Sequence, residues 1–336
     1  MGIPGEKKTV NRDSLFRRAC ARLATSIVMI VVCAGVTAQE YPNRPVRMIT
    51  PTGAGGVSDG LSRMVAQALS DLLGQPMVVE NRAGAMTQIG NEYVSRAAPD
   101  GYTILWGAVD MTMLPVLRKS AANFDAGRDL APIALAVSTW GAYAVTSKFP
   151  ADSLKEFVAL AKAKPETIRY GTNGVGGSLH LAAEMLAINT GIKLVHVPYK
   201  AIAQAVTDVI SGEIEMASLA ISTAAANRSR LKLLAQAGPT RHPMIPDVPT
   251  TAELGMPDVS VVFWFGLLAP PGTPRPIVER IARELDTVLR NPAVRDRLAK
   301  MGTEATYLPP AAFSKLIADD QKKWAKFIPA MGIQPE

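Results

Sequence analysis

The sequence predicts an α/β fold with parallel sheets, and three observations support this class. From residue 45 onward, short β-prone segments alternate with longer segments of helical period, which is typical of strand–helix–strand units. The 26 Gly and 25 Pro are spread along the chain without a period, which indicates many turns and no repeat architecture. A length of 336 residues is enough for roughly two domains.

The first 38 residues read as a cleavable export signal. A basic stretch is followed by the uncharged residues 23–37 and then by small residues at 36–38, where a signal peptidase would cut after Ala38. A membrane span needs about 20 apolar residues, so a signal is favoured over an anchor. Both cysteines, Cys20 and Cys33, lie in this segment. The mature chain therefore has neither a disulfide nor a thiolate for metal binding or nucleophilic chemistry.

The net charge of +7 is partly due to the signal. Six of the 36 Lys and Arg residues and two of the 29 Asp and Glu residues lie in residues 1–38, so the rest of the chain carries +3. A net charge of this size gives no indication of a nucleic-acid partner. We expect no metal and no cofactor.

In the first half of the mature chain, a β-prone strand at 45–50 leads into a glycine turn. A helix follows from Ser58 and ends at Gly74, because apolar residues recur at helical spacing between a capping residue and a glycine. Further strands are predicted at 77–80, 103–106 and 142–146. Helices are predicted at 89–98 and, after a serine cap, at 153–163.

The second half repeats the alternation. Strands are predicted at 169–172, 194–197, 215–219, 232–235 and 259–268. Helices are predicted at 178–190, 202–211, 275–289, 292–300 and 311–330. In the strand at 259–268, Trp264 lies between two phenylalanines, and a place in the core at a domain crossing is favoured over a place in the wall of a cleft. The charged run at 319–323 is expected to form a solvated helix face.

Two segments share one design, in which a strand, a glycine-rich turn and a hydroxyl-bearing helix start follow one another. Gly53, Gly55 and Gly56 precede Ser58 in the first; Gly174, Gly176 and Gly177 precede Ser178 in the second. Glycine allows a ligand to approach the main chain, and a helix start offers unpaired N–H groups to a carboxylate or phosphate. Neither turn has the lysine of a phosphate loop or the spacing of a dinucleotide fingerprint.

Catalytic groups are scarce in the mature chain. Its histidines are His180, His196 and His242, and no nucleophile elbow or HExxH motif accompanies them. His180 and Glu184 are spaced i, i+4 on a helix, and such a pair is more often structural than catalytic. His196 is expected to be packed or at a sheet edge, and His242 to be exposed.

Short motifs along residues 40–336 together resemble a known family. They include residues 41–47, 55–59, 73–76, 79–85, 98–103, 129–133, 180–184, 197–200, 247–250, 264–266 and 269–274. Their order and spacing are similar to those of the substrate-binding proteins of tripartite tricarboxylate transporters, also called the Bordetella uptake (Bug) family. Each motif is short, whereas the ordered set is specific.

The resemblance implies a type II periplasmic-binding-protein fold with a ligand cleft between two α/β lobes. Lobe 1 would comprise residues 39–139 and 264–336, and lobe 2 residues 140–263, with crossings near 137–141 and 261–265. It also implies a periplasmic, monomeric protein that is not an enzyme. Such a protein captures a small carboxylate and delivers it transiently to the membrane subunits of a permease. The solute itself is not identified by the sequence.

The ligand would be held by both glycine turns. The predicted contacts are Thr52, Gly53, Gly55, Gly56, Ser58 and Asp59 from lobe 1, and Thr172, Gly176, Gly177, Ser178, Tyr199 and Asp208 from lobe 2. Asp59 would also shape the first turn, and Asp208 could pair with an amino group or lie in solvent. The chain departs from the family pattern at Thr52 and at Met86 and Thr87.

Two other functions share parts of this interpretation. A binding protein that reports its ligand to a membrane receptor would have the same fold and site. A secreted hydrolase or isomerase would use His180 and Glu184 as acid and base, and it would need His180 to face the pocket.

Overall fold

The computed structural model describes residue 2 and residues 41–121, 123–172, 174–199 and 201–332. Apart from residue 2, the predicted signal segment lies outside the described residues. Contacts divide the chain into two units, residues 1–43 and 44–336, and every strand and helix of the described residues belongs to the second unit. Within the described residues, no helix is both long and apolar enough to span a membrane.

The described chain alternates strands and helices nearly as predicted. The strands are β1 (Val46–Thr50), β2 (Met77–Asn81), β3 (Thr103–Ala108), β4 (Ala131–Thr146), β5 (Arg169–Thr172), β6 (Val195–Pro198), β7 (Met216–Ala220), β8 (Leu231–Gln236), β9 (Val262–Ala269) and β10 (Glu304–Leu308). The helices are α1 (Val57–Leu73), α2 (Gln88–Ser95), α3 (Leu114–Leu117), α4 (Ala126–Asp129), α5 (Leu154–Ala163), α6 (Ser178–Thr190), α7 (Ile202–Ser211), α8 (Ile221–Ala226), α9 (Arg275–Arg290), α10 (Pro292–Lys300) and α11 (Pro310–Ala330).

The strand order is β2-β1-β3-β9-β4-β7-β5-β6, with β8 and β10 paired to β4. β1 pairs in parallel with β2 and β3, and β5 pairs in parallel with β6 and β7. Each parallel group thus carries one of the two glycine turns at the carboxyl end of a strand, where ligands bind in open α/β sheets.

The long strand β4 joins the two parts of the sheet. Its residues 131–140 pair with β9, and its residues 141–146 pair with β7 and β8. The sequence analysis predicted only the second part, at 142–146. The first part is a strand as well because its backbone pairs with β9 along one edge and with β10 along the other. The partners change at Trp140, within the predicted crossing at 137–141.

Helix α11 packs against β4, and its contacts differ from the prediction for 319–323. Asp320 lies on the same face as buried Phe313 and Trp324, and its carboxylate accepts a hydrogen bond from Trp264 Nε1 at 2.6 Å. Lys323 Nζ donates to the carbonyl of Ser260 at 3.2 Å. The expected solvated face is therefore wrong for these two residues, because helical spacing places them beside the apolar stripe.

The expected exposure of His242 is also wrong, because its side chain is fully buried. The Trp140 indole meets the imidazole edge-on at a centroid distance of 5.5 Å. The backbone N–H of His242 donates to Gln236 Oε1 at 2.8 Å, and Nδ1 accepts from the backbone N–H of Met244 at 3.2 Å. Long-range packing of this Pro-rich segment against β4 and β8 thus overrides its polar local sequence.

Candidate functional site

The first glycine turn, between β1 and α1, is held in shape by Asp59. This carboxylate is buried and accepts the N–H of Gly55 at 2.9 Å and the side-chain amide of Asn81 at 2.8 Å. Arg63 binds both carboxylate oxygens, at 3.0 and 3.1 Å. Asn81 also donates to the carbonyl of Thr52 at 3.0 Å, so the turn is fixed from both ends.

These partners define the role of Asp59. Hydrogen bonds from Arg63, then Gly55 and Asn81, lower the pKa of the carboxyl to about 2, so Asp59 is ionised at neutral pH. Because its oxygens are already engaged within the protein, we assign Asp59 to the shape of the turn rather than to solute contact. Sequence analysis proposed both roles.

The remaining polar groups of the first turn are the candidates for ligand contact. Gly53, Gly55 and Gly56 are exposed. Gly56 is the N-cap of α1, and no side chain among the described residues caps the helix. In the same part of the chain, the hydroxyls of Thr50, Thr52 and Ser58 are shielded from solvent and have no hydrogen-bond partner in the part of the chain that the structure describes. A shielded hydroxyl without a partner costs free energy, so such groups point to a ligand or to ordered water.

Two histidines form hydrogen bonds with the second glycine turn, which lies between β5 and α6. Thr172 Oγ1 lies 2.7 Å from His196 Nε2 and 3.1 Å from the carbonyl of Gly174. The N–H of Gly176 donates to His180 Nδ1 at 3.1 Å. This bond turns the Gly176 N–H, a predicted ligand donor, toward the interior.

Donors for a ligand therefore remain at the helix start itself. Gly177 is the N-cap of α6, in extended backbone with φ −67° and ψ 158°, and no described side chain caps the helix. The N–H groups of Gly177 and Ser178 fit the predicted role, since the first four N–H groups of a helix have no partner within it.

Tyr199 and Asp208 pair with each other. The Tyr199 hydroxyl donates to Asp208 Oδ2 at 2.7 Å, and burial together with this bond raises the pKa of Tyr199 to about 12. The Tyr199 N–H donates to the carbonyl of Thr172 at 2.9 Å, which ties β6 to the end of β5. The pair therefore supports the second turn, and solute contact by either residue stays a prediction.

A further segment, which the sequence analysis did not count among the predicted ligand contacts, lies close to both turns. A methyl group placed on Gly90 would lie 2.7 Å from Pro51 Cβ, and one on Gly176 would lie 3.7 Å from the side chains of Met86 and Leu117. The segment 84–90 thus lies close to the first turn at one end and close to the second turn at the other. The signal in the sequence that could have pointed to this segment was its departure from the family pattern at Met86 and Thr87.

This linking segment has an unusual backbone. Ala85, Met86 and Thr87 have φ values of 47°, 50° and 75°, in the left-handed region that favours glycine. Such conformations cost of order 1 kcal/mol each and are typical of functional sites. The strain therefore lies in a segment that is close to both turns.

A separate groove of about 850 Å³ lies beside β1, β3 and α2 and is lined by Arg44, Arg47, Arg82 and Arg96. Each guanidinium has a carboxylate partner: Arg44 with Asp100 at 3.0 Å, Arg47 and Arg82 with Glu80 at 3.6 and 2.6 Å, and Arg96 with Glu92 at 2.9 Å. Since three carboxylates offset most of the charge of these four guanidiniums, the groove is a weaker anion site than the glycine turns.

Comparison with known proteins identifies the family. Residues 61–333 match the family model described as "Tripartite tricarboxylate transporter family receptor". The chain belongs to this family. The receptor is 31% identical to protein BugT of Bordetella pertussis over 323 residues, which cover 94% of this chain and 98% of BugT. The predicted family is therefore confirmed.

Solved structures confirm the fold class of the receptor. Rhodopseudomonas palustris Rpa4515, solved with adipate, has a TM-score of 0.73 and 26% identity, covering 88% of this chain and 100% of its own. MatC from the same species, with bound malate, has a TM-score of 0.70 and 26% identity, covering 86% and 100%. Family members are periplasmic binding proteins, as predicted. The lobe boundaries stay a prediction.

Replacement of Asp59 by alanine should destabilise the receptor by about 2–3 kcal/mol, because Arg63, Asn81 and the Gly55 N–H lose a buried, charged acceptor. The folded-state pKa is depressed, so this contribution is present above the unfolded pKa of about 4 and is lost as the pH falls toward 2. Urea unfolding at pH 7 and pH 3 measures both effects. We expect the gap between wild type and Asp59→Ala to narrow at pH 3, and an unchanged gap would contradict this role.

Proposed function

We propose that the receptor captures a small carboxylate solute between its two glycine turns and delivers it to a membrane permease. The observation that carries this proposal is the pair of uncapped helix starts, at α1 and α6. Each follows a glycine turn at the carboxyl end of a parallel strand, and segment 84–90 lies close to both turns. A helix start attracts an anion through its N–H groups and its dipole.

The chemistry of the turns favours a carboxylate held by backbone groups. Main-chain N–H donors at residues 57–58 and 177–178 would bind the oxygens, with the hydroxyls of Thr52 and Ser58 beside them. The malate and adipate bound to the relatives are small dicarboxylates, which supports this class of solute for the receptor.

A catalytic function through His180 and Glu184 is less well supported. His180 Nδ1 already accepts the Gly176 N–H, and Glu184 accepts a hydrogen bond from the Tyr170 hydroxyl. His180 Nε2 lies 3.9 Å from Glu184 Oε1, and the imidazole is almost fully buried. We therefore propose that the receptor is not an enzyme. We also propose that it works as a monomer in the periplasm after cleavage behind Ala38.

A thermal-shift measurement on residues 39–336 tests the proposed function. Malate and adipate, each at about 100 times its Kd, should add roughly 2.7 kcal/mol of stability, and the melting temperature should rise by several degrees. The dimethyl esters are matched controls, because they keep the carbon chain and remove the charge. Sodium chloride at equal ionic strength controls for salt.

If esters and acids shift the melting temperature equally, the carboxylate is not what the receptor recognises. If no mono-, di- or tricarboxylate stabilises the protein, carboxylate capture is contradicted. Transport and sensing share these outcomes. They are separated by co-purification of the loaded receptor with permease membrane subunits, which only transport predicts.

A further inference from the structure

Beneath the second glycine turn, three aromatic rings are stacked. The imidazoles of His180 and His196 lie 4.0 Å apart at an interplanar angle of 22°, and the Tyr170 ring lies 4.9 Å from that of His196. His196 bonds Thr172 at the start of the turn, whereas His180 accepts from Gly176 near its end. The two histidines therefore hold the turn at both ends, from outside the face that is offered to solute.

The bond to Gly176 constrains the protonation of His180. Nδ1 accepts a hydrogen bond there, so it carries no proton, and a neutral ring must carry its proton on Nε2. A doubly protonated ring would present N–H to N–H at this contact. Gly176 is also in a left-handed conformation, φ +74°, and its N–H is directed inward to this acceptor.

We propose that the stacked pair His180–His196 positions the second glycine turn, and that solute binding requires the unprotonated Nδ1 of His180. The inference rests on the proposed function for its binding consequence. The brace itself is independent of which solute is bound. His180 and His196 are thus positioning residues, since neither has to touch the solute.

The groups around the pair keep it neutral. Burial, and secondarily the charge of His196, lower the pKa of His180 to about 4, and burial lowers the pKa of His196. Burial raises the pKa of Glu184, on the same helix as His180, so this carboxyl is a weaker counter-charge. The brace should be intact at neutral pH and fail as the pH falls toward 4.

Other titratable groups near the pair are engaged elsewhere. From β5, the Tyr170 hydroxyl donates to Glu184. From β4, the Tyr143 hydroxyl donates to the carbonyl of Ala182 at 2.8 Å, and β7 contains no titratable side chain. Asp258, in the 3₁₀ turn packed on α6, interacts with Lys323. Glu166 and Lys193, at the cavity that also reaches Glu184 and His196, pair with each other at 3.6 Å.

Two matched substitutions test the proposal. An asparagine amide can place an acceptor where Nδ1 lies, whereas a glutamine amide reaches the Nε2 position. At pH 7.5 we expect His180→Asn to bind malate within about threefold of wild type and His180→Gln to bind at least tenfold more weakly. Near-ultraviolet circular dichroism checks that both variants fold. Equal affinities of the two variants for malate would overturn the proposal that His180 Nδ1 positions the second glycine turn.

Nuclear magnetic resonance tests the brace without any solute. In the wild type, the Gly176 amide shift should titrate in acid together with the His180 ring, with a midpoint near 4. In His180→Asn the same amide should not titrate there. If the chemical shift of the Gly176 amide does not change with pH in the wild type, the proposal is overturned. If this amide titrates but malate does not bind the wild type, the proposed function is contradicted for malate and the brace is supported.

Discussion

Replacement of Ser178 by proline should weaken carboxylate binding by about 10- to 100-fold while the fold is kept. Ser178 is the first residue of α6, a position at which proline is tolerated because its N–H has no partner within the helix. Gly177 has the extended backbone that the residue before a proline requires, with ψ 158°. The substitution therefore removes the backbone N–H together with the serine hydroxyl, and it leaves the helix in place. A hydrogen bond to a charged group contributes about 1.5–3 kcal/mol, which corresponds to this loss of affinity.

The same experiment can be made at the first turn with Val57→Pro. Val57 is the first residue of α1, and Gly56 before it has φ −81° and ψ 172°. Ser178→Ala and Val57→Ala are the matched controls, because they remove the side chains and keep both N–H groups. Isothermal titration with malate should find the alanine variants near wild type and both proline variants weakened. Equal affinity of the proline and alanine variants at both turns would mean that the main chain does not recognise the carboxylate.

Replacement of Gly238 by alanine should destabilise the receptor by about 3 kcal/mol, which is the expected cost of overpacking a rigid core. A methyl group at this position would lie 2.2 to 2.4 Å from three atoms of the Trp140 indole. The indole is buried, its Nε1 donates to Gln236 Oε1 at 3.0 Å, and its ring contacts His242. Because these contacts fix the ring where β4 changes partners, it cannot move aside cheaply.

Gly53→Ala is the matched control for this effect. Position 53 is exposed, and a methyl group there would meet nothing within 4 Å. We expect a change below about 0.5 kcal/mol. Urea unfolding of both variants gives the comparison, and similar midpoints for the two would contradict the tight packing at Trp140.

The strongly patterned elements could be predicted from the sequence. α6 was expected at 178–190 and is found at Ser178–Thr190, since a glycine turn and Gly191 delimit an apolar run. β10 was missed because its residues are all half-buried and show no alternation, and it is a strand only through its pairing with β4. Such pairing is a long-range property that local patterns do not report.

The candidate site shows the same division between local and long-range information. Glycine spacing located both turns, but it could not show that the Gly176 N–H turns inward to His180 or that Asp59 is enclosed by Arg63 and Asn81. These contacts depend on how helices and strands pack. Nor did spacing predict left-handed backbone at Met86, where the residue type itself disfavours it.

A crystal structure of residues 39–336 with malate tests the central claim most directly. The account predicts malate oxygens within about 3 Å of main-chain nitrogens at the starts of both α1 and α6, with Met86 and Leu117 beside the solute. A carboxylate bound instead by Arg47 or Arg82 in the groove beside β1, with neither glycine turn in contact with malate, would contradict it.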